Sequence, residues 1–304
     1  MPAEIASLPV GSLAPKQLDG LLAFVAGRAF PGVERVEPHC YARAFRIGKT
    51  PGAVVVHIDR SSGALSATPY ATHLDDHEGV VTKIRRVFDL DAPLPAIRAH
   101  LRRDPALALA LKRVPAPRIP RAWEPFELAV RAILGQQISV KAASTLAARM
   151  VTLHGASLST KLAQQSGLQR LFPTTESLAS AELTPLGIVR ARAHAIRTLA
   201  ATAQHQPELF DGTRGLDHFV TEFIRLPGIG RWTAQYVALR ALGHPDAFPE
   251  GDLGLVRAYA SLAGRDITLR ELTQIAEHWR PWRGYAAMLL WMSEAAVAGK
   301  QSGG

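Results

Sequence analysis

The residues best suited to chemistry lie in two short segments of the C-terminal half. The first, Leu226–Ala234, reads LPGIGRWTA, and an acidic loop, FPEGDLG, follows at Phe248–Gly254. Gly228 and Gly230 can adopt positive φ and let main-chain N–H groups approach an anion closely. A helix that starts near Arg231 would point its positive end at the same place. This pattern predicts a site that binds a nucleic-acid backbone phosphate beside a carboxylate.

The carboxylate in question is Asp252, for which the residues leave two interpretations open. An Asp in a Pro-Glu-Gly-Asp turn is most often a turn former or a helix N-cap, and on local grounds that interpretation is favoured. A catalytic carboxylate is the alternative, since a carboxylate can stabilise positive charge that develops in a reaction and can orient or deprotonate a water molecule. A nucleotide-binding phosphate loop is disfavoured at Gly228–Arg231, which lacks a preceding strand and a Lys-Ser/Thr pair.

Composition narrows the class of protein. The 304 residues are enough for two or three domains, and the net charge of +9 favours a polyanionic partner, although many basic proteins never bind DNA. Cys40 is the only cysteine, which excludes intrachain disulfides, cysteine-rich zinc sites and a four-cysteine iron–sulfur cluster. No apolar run has membrane-spanning length, and Met1–Val10 contains an acid and lacks a basic start. We expect a cytoplasmic protein, associated with the nucleoid if bacterial.

Hydrophobic periodicity predicts an α+β N-terminal part, a basic connecting segment and an all-helical remainder. In the first ninety residues it predicts helices at Leu18–Ala29 and Gly79–Phe88, a strand at Tyr41–Ile47, and a hairpin of Val54–Ile58 and Ala64–Thr68 around Asp59–Gly63. The proline-rich connection has one short helix, Ala96–Arg102. The later helices predicted from apolar spacing and capping signals begin at Phe126, Val140, Thr175, Ile188, Leu269 and Pro281.

The segment LPGIGRWTA resembles the helix-hairpin-helix of the DNA glycosylase superfamily, and the finer resemblance is to the 3-methyladenine DNA glycosylase II (AlkA) family. That resemblance extends through GIGRWTAQYVALRALG, through FELAVRAILGQQISV at Phe126–Val140, and through WRPWRGYAAMLLW at Trp279–Trp291. A weaker likeness appears at Tyr41–Phe45 and Val87–Asp91. The resemblance therefore covers nearly the whole chain.

The resemblance implies an α+β fold in which an N-terminal domain with an antiparallel sheet and helices precedes two all-α subdomains of the helix-hairpin-helix glycosylase type. We expect the N-terminal domain at 1–97 and the helical domain with the hairpin at 123–244. Residues 98–122 and 245–304 would form a second helical subdomain that completes the active-site cleft. In that arrangement the basic segment Arg98–Arg121 packs with the C-terminal helices.

The resemblance also implies a catalytic site. Asp252 lies at the family's spacing from Trp232, whereas Glu250 stands where the family is not consistently acidic. Trp232 occupies the position at which bifunctional relatives have a lysine that forms a Schiff base, so we expect water as nucleophile and no lyase activity. The implied base pocket consists of Trp232, Trp291, Tyr236, Phe24 and Leu253. Its aromatic faces suit an electron-poor, cationic base. Leu253 departs from the tyrosine that the family often has there.

Contacts to DNA are implied at the hairpin and at the loop after the Phe126 helix, namely at Gly228, Gly230, Arg231, Thr233, Gln136 and Gln137. Gln137 falls where the family inserts an apolar wedge, often leucine, into the base stack. Glutamine can fill the gap and bind base edges, but it forfeits apolar contact. The hairpin carbonyls of Ile224, Leu226 and Ile229 would hold a monovalent cation, Na⁺ or K⁺, and no other cofactor is expected.

Together these features predict a monomeric, monofunctional DNA N-glycosylase that flips alkylated purines out of duplex DNA and leaves an abasic site. The expected bases are 3-methyladenine and 7-methylguanine, with hypoxanthine as a further candidate, and no membrane partner is expected. Two alternatives stay open. The same scaffold could act on an oxidised or deaminated base, or the chain could be a helix-hairpin-helix protein that binds DNA and releases no base.

Overall fold

The structure, a computed structural model, describes residues 7–71 and 77–301 and has the predicted α+β architecture of a sheet followed by helices. The outer ends of the predicted domains, at 1–6 and 302–304, lie outside the described residues. In the part of the chain that is described, no helix is both long enough and apolar enough to cross a membrane.

A five-stranded antiparallel sheet with the order β1-β5-β4-β3-β2 forms the N-terminal part. Its strands are β1 (Leu8–Ser12), β2 (Glu34–Glu37), β3 (Cys40–Ile47), β4 (Thr50–Ile58) and β5 (Ala64–Ala71). The predictions for β3, β4 and β5 are confirmed, whereas β1 and β2 were missed. Both missed strands lie at sheet edges, β1 contains Pro and Gly, and β2 has a single apolar residue. Such sequences carry little strand signal of their own.

The turn between β4 and β5 shows why its residues predicted a hairpin. Asp59 accepts hydrogen bonds from the main-chain N–H of Ser61 at 2.8 Å and from its hydroxyl at 2.7 Å. Gly63 has φ +76°, and a Cβ atom at that position would lie 1.7 Å from the carbonyl oxygen of Leu13. Only glycine meets both conditions, so the sequence of the turn determines the register of the two strands.

Fourteen α-helices occur in the described residues; α1 lies between β1 and β2 in the sequence, and α2 follows β5. They are α1 (Pro15–Ala26), α2 (His77–Val87), α3 (Leu94–Leu101), α4 (Pro105–Arg113), α5 (Pro125–Leu134), α6 (Val140–His154), α7 (Thr160–Ser166), α8 (Thr175–Ala179), α9 (Arg190–His205), α10 (Leu216–Phe223), α11 (Arg231–Val237), α12 (Leu253–Ala263), α13 (Leu269–Ala276) and α14 (Arg283–Gln301). The last helix begins at Arg283 and not at Pro281 as predicted. The π-helical turn Ala238–Leu242 continues α11.

The basic segment contains two helices, so the prediction of one was wrong. The sequence of α4, PALALALKR, alternates Ala with Leu and so hides its helical period. Asp104 caps α4 by accepting from the N–H groups of Ala106 and Leu107. Its other carboxylate oxygen accepts from the Tyr259 hydroxyl at 3.0 Å and from Trp279 Nε1 at 2.9 Å. These bonds hold α4 against the C-terminal helices, with α12 and α14 as its neighbours, which confirms the predicted packing. The division into domains stays a prediction.

A buried ion pair joins the sheet to the helical part. Arg43 on β3 is 1% exposed, its Nη2 binds Glu127 of α5, and its Nη1 lies 3.3 Å from Glu34. Burial raises the pKa of Glu127 to about 7, although the attraction of Arg43 opposes this. The carboxylates of Glu34 and Glu127 are therefore both paired with one guanidinium. This pairing holds α5 against the sheet.

Candidate active site

Helices α5, α6, α11, α12 and α14 surround a cleft of about 1040 Å³, and the loops at their ends form its rim. Nine of the predicted site residues line it: Gln136, Gln137, Gly230, Trp232, Thr233, Tyr236, Asp252, Leu253 and Trp291. They come from four separate stretches of sequence, the first at Gln136 and the last at Trp291. The fold therefore brings these predicted site residues together in one cleft.

The hairpin lies between α10 and α11 at one side of this cleft. Gly228 has φ +76°, and a Cβ atom there would lie 2.8 Å from Ala195 Cβ, so glycine is required for two reasons. Gly230, by contrast, has φ −91° and open space around it, so the prediction of positive φ is wrong for this residue. It is the N-cap residue of α11, and its lack of a side chain leaves that helix end accessible.

Asp252 accepts hydrogen bonds from three N–H groups. Its Oδ2 accepts from Trp232 Nε1 at 3.0 Å, and its Oδ1 accepts from Trp291 Nε1 at 3.3 Å and from the main-chain N–H of Leu255 at 2.9 Å. The last bond makes Asp252 the N-cap of α12. The N-cap interpretation of the sequence is thus confirmed, and the cap fixes the carboxylate where it lines the cleft. A catalytic role for Asp252 stays a prediction.

Three aromatic rings form a wall beside this carboxylate. Trp232 and Tyr236, one turn apart on α11, stack with ring centroids 5.2 Å apart and planes 7° from parallel. Trp291 of α14 meets Tyr236 at 6.0 Å and 65°. Both tryptophans are partly exposed, whereas Tyr236 is buried. A flat, π-rich surface of this kind next to an acid can receive a planar base.

Two members of the expected base pocket, Phe24 and Leu253, do not form inner walls of the cleft. Phe24 is buried and does not line the cleft, since the Arg28 guanidinium lies 3.7 Å from its ring centroid. It faces an adjoining cavity of about 790 Å³ that shares Trp291 with the cleft. Leu253 lies at the rim with 61% of its surface exposed, so it forms an open edge and not an enclosing wall.

The expected DNA contacts divide into exposed and supporting residues. Gln137 is exposed with φ +56° and Arg231 is exposed and paired with Glu250 at 3.3 Å. Thr233 is 3% exposed, and its hydroxyl accepts from Gln136 Nε2 at 3.2 Å. The same amide donates to the Gly228 carbonyl at 2.9 Å. Thr233 and Gln136 therefore hold the hairpin against the loop after α5. Direct contact of Thr233 with DNA stays a prediction.

The cation expected at the hairpin would use carbonyl oxygens alone. Ile224 caps the C-terminal end of α10, where helix carbonyls carry partial negative charge. The Leu226 carbonyl already accepts the N–H of Ile229 at 3.1 Å and keeps a second lone pair. Neutral oxygen donors suit Na⁺ or K⁺, which would supply positive charge towards a phosphate. Among the described residues no group of three or more His, Cys, Asp or Glu side chains could hold a metal ion.

Sequence reasoning missed the arginines of the cleft, Arg28, Arg131 and Arg257. A signal for Arg131 was present, because it interrupts the otherwise apolar run AVRAIL of α5. Arg240 interrupts YVALRAL in the same way, and it is 4% exposed behind Tyr236, to whose hydroxyl it donates at 3.2 Å. A cation within an apolar helix face points to a buried polar partner or to a site.

Comparison with known proteins agrees with this geometry. Residues 8–124 match the family described as the AlkA N-terminal domain, and residues 130–281 match the HhH-GPD superfamily of base excision DNA repair proteins. The chain is 32% identical to DNA-3-methyladenine glycosylase 2 of Escherichia coli, over 92% of this chain and 95% of that protein. It is similar in structure to a 3-methyladenine DNA glycosylase from Archaeoglobus fulgidus, with a TM-score of 0.77, 25% identity, and 95% and 97% of the two chains covered.

The chain belongs to the helix-hairpin-helix class of base excision DNA repair proteins. Within that class it is a member of the AlkA family, which confirms the family predicted from its sequence. It is also 36% identical to a Mycobacterium tuberculosis protein described as a probable bifunctional transcriptional activator/DNA repair enzyme AlkA. That match covers 95% of this chain but 57% of the relative, so the chain spans a little over half of that protein's length.

Proposed function

We propose that this chain is a monofunctional DNA N-glycosylase that excises alkylated purines, 3-methyladenine and 7-methylguanine among them, from duplex DNA. The observation that carries the proposal is Asp252, whose carboxylate is held by two tryptophan N–H groups in a cleft with aromatic walls. Membership in the AlkA family supports the same activity. We further propose a monomer that works in the cytoplasm, with Na⁺ or K⁺ at the hairpin and no other cofactor.

The mechanism follows from the positions of the chain's own groups. The hairpin binds a phosphate, Gln137 fills the gap in the stack, and the flipped base enters beside Trp232, Tyr236 and Trp291. The C1′–N bond breaks with its electron pair going to the base, while the Asp252 carboxylate stabilises the positive charge at C1′. A water molecule that Asp252 orients then adds to C1′ and passes its proton to the Asp252 carboxylate, which leaves an abasic sugar.

One assay tests the function and its nearer alternative together. Base release is measured under single-turnover conditions on duplexes that each contain one lesion: 3-methyladenine, 7-methylguanine, hypoxanthine, 8-oxoguanine or uracil. The proposal expects release of the alkylated purines. Release of only oxidised or deaminated bases would favour the alternative that the departures at Leu253 and Gln137 keep open, and tight binding without any release would favour a DNA-binding protein.

The absence of lyase activity follows from the residue at position 232. Strand cleavage requires an amine that forms an imine with C1′, but the indole of Trp232 cannot do so and its N–H is bonded to Asp252. None of the described residues that line the cleft is a lysine. Borohydride should therefore trap no protein–DNA adduct, and strand breaks should appear only after alkali or heat. A robust adduct would show that the enzyme is bifunctional.

A further inference from the structure

Arg28, which follows α1, occupies the position in which the sequence placed an aromatic wall of the base pocket. Its guanidinium carbon lies 3.7 Å from the Phe24 ring centroid, and its Nη1 donates to the Phe24 carbonyl at 3.3 Å. The side chain lines the same cleft as Asp252, Trp232 and Trp291. A base that enters the cleft therefore meets the N–H groups of a cation where an apolar ring was expected.

The other charges in the cleft strengthen this difference. Its lining contains three arginines, Arg28, Arg131 and Arg257, and one carboxylate, Asp252. Arg257 is exposed and lies 3.6 Å from Glu294, so its charge is largely screened. Arg131 is 6% exposed and binds Ser144 at 2.7 Å, while its Nη1 is buried with no hydrogen-bond partner in the described structure. The inner part of the cleft is therefore positively charged.

The pKa of the Tyr236 hydroxyl reflects the positive charge of the arginines around it. Burial raises the pKa of a tyrosine, yet the guanidiniums of Arg240 and Arg28 outweigh burial and the pKa of Tyr236 is lowered. Positive charge at this depth stabilises negative charge that develops on a departing base.

We propose that Arg28 contributes to base specificity by promoting the release of neutral 6-oxopurines, of which hypoxanthine is the simplest, in addition to the cationic alkylated purines. This inference rests on the proposed glycosylase function and assigns Arg28 a contact to the leaving base. The guanidinium offers planar N–H donors that match an oxo oxygen and an adjacent ring nitrogen.

The two kinds of base leave with different charges. When the C1′–N bond of a neutral 6-oxopurine breaks, the electron pair stays on the base, which departs as an anion with charge spread onto its oxo oxygen. Arg28 donates to that oxygen, and the water that adds to C1′ passes its proton to Asp252 or to the departing anion. A cationic 3-methyladenine leaves as a neutral molecule and gains nothing from Arg28 at this step.

The test compares Arg28→Gln and Arg28→Lys with the wild-type chain on duplex DNA that contains hypoxanthine and on methylated duplex DNA that releases 3-methyladenine. Single-turnover rates are measured for both bases. We expect Arg28→Gln to slow hypoxanthine release about tenfold or more, as loss of a charged hydrogen bond does, while 3-methyladenine release stays constant. Arg28→Lys, which keeps the charge without the planar fork, should give an intermediate hypoxanthine rate.

Arg257→Gln is the matched control, because it removes the same charge from the rim of the same cleft. A shift of the hypoxanthine to 3-methyladenine ratio as large as that of Arg28→Gln would overturn the assignment to Arg28. Equal slowing of both bases by Arg28→Gln would also overturn it and indicate a structural role. Wild-type protein that releases 3-methyladenine but no hypoxanthine refutes this inference alone, whereas wild-type protein that releases neither refutes the proposed function as well.

Discussion

At the scale of single residues, Asp252 caps α12 and is also the residue for which we propose the catalytic role. An N-cap is worth about 1 kcal/mol, whereas stabilising charge in a transition state is worth about 3 kcal/mol or more. The substitution Asp252→Asn keeps an oxygen that can cap α12 but removes the negative charge. We expect base release to slow at least about a hundredfold, while the urea midpoint and the affinity for lesion DNA change little. Near-normal single-turnover excision by this variant would remove Asp252 from the mechanism.

Trp291 has two functions that different substitutions separate. Its ring faces the cleft and its Nε1 donates to Asp252 at 3.3 Å. Trp291→Ala removes both, and loss of stacking, worth about 1–3 kcal/mol per base, should reduce excision of 3-methyladenine and 7-methylguanine more than duplex affinity. Trp291→Phe keeps a ring but loses the N–H donor, so its excision rates should lie between those of the wild-type chain and those of Trp291→Ala. Unchanged excision by Trp291→Ala, measured in single turnover, would place this tryptophan in the core only.

At the scale of elements, the hairpin contains two glycines with different requirements. Gly228→Ala places a side chain at φ +76° and against Ala195, so we expect a loss of about 1–2 kcal/mol from the backbone conformation alone. Binding of damaged and undamaged duplex should weaken alike, because phosphate contacts position the protein without reading sequence.

Gly230→Ala is the matched control, since its φ is −91° and its surroundings are open. The variant should keep the stability of the wild-type chain and should lose affinity only to the extent that a phosphate approaches the start of α11. Urea denaturation and fluorescence anisotropy with both duplexes measure the two effects. Equal destabilisation by both substitutions would contradict this account of the hairpin.

At the scale of the whole molecule, Arg43 joins the sheet to the helices that carry the site. Arg43→Met leaves the buried Glu127 and the partly buried Glu34 without their cation, and loss of one partner of a buried pair costs about 3–5 kcal/mol. The double substitution Arg43→Met with Glu127→Gln should recover part of that loss, because one uncompensated charge is gone. Chemical denaturation measures both. If the double variant were as unstable as the single one, the ion pair of Arg43 with Glu127 would not explain the loss of stability.

Much of this protein was predictable from its sequence because local chemistry determines it. The hairpin turn at Gly63, the cap at Ser139, the capping box at Thr268 and the glycine at 228 each act through bonds within a few residues. Long family-like segments then predicted the fold class, which is confirmed, and the catalytic role of Asp252, which stays a prediction. Edge strand β1 and the Ala-Leu helix α4 were missed, since the residues that hold them are distant in the sequence. Edge strand β2 pairs with the next strand along the chain and was missed because it has a single apolar residue.

Tertiary structure alone decided how charge and surface are distributed in the cleft. Sequence reasoning expected Phe24 to face the base, but packing puts the Arg28 cation at that position. Packing of Gln136 against the hairpin also buries the hydroxyl of Thr233, a residue expected to contact DNA. Residue type and spacing determine which face of a helix a side chain occupies. Which charged groups reach the same cavity depends on contacts between segments up to two hundred residues and more apart, and those contacts exist only in the folded chain.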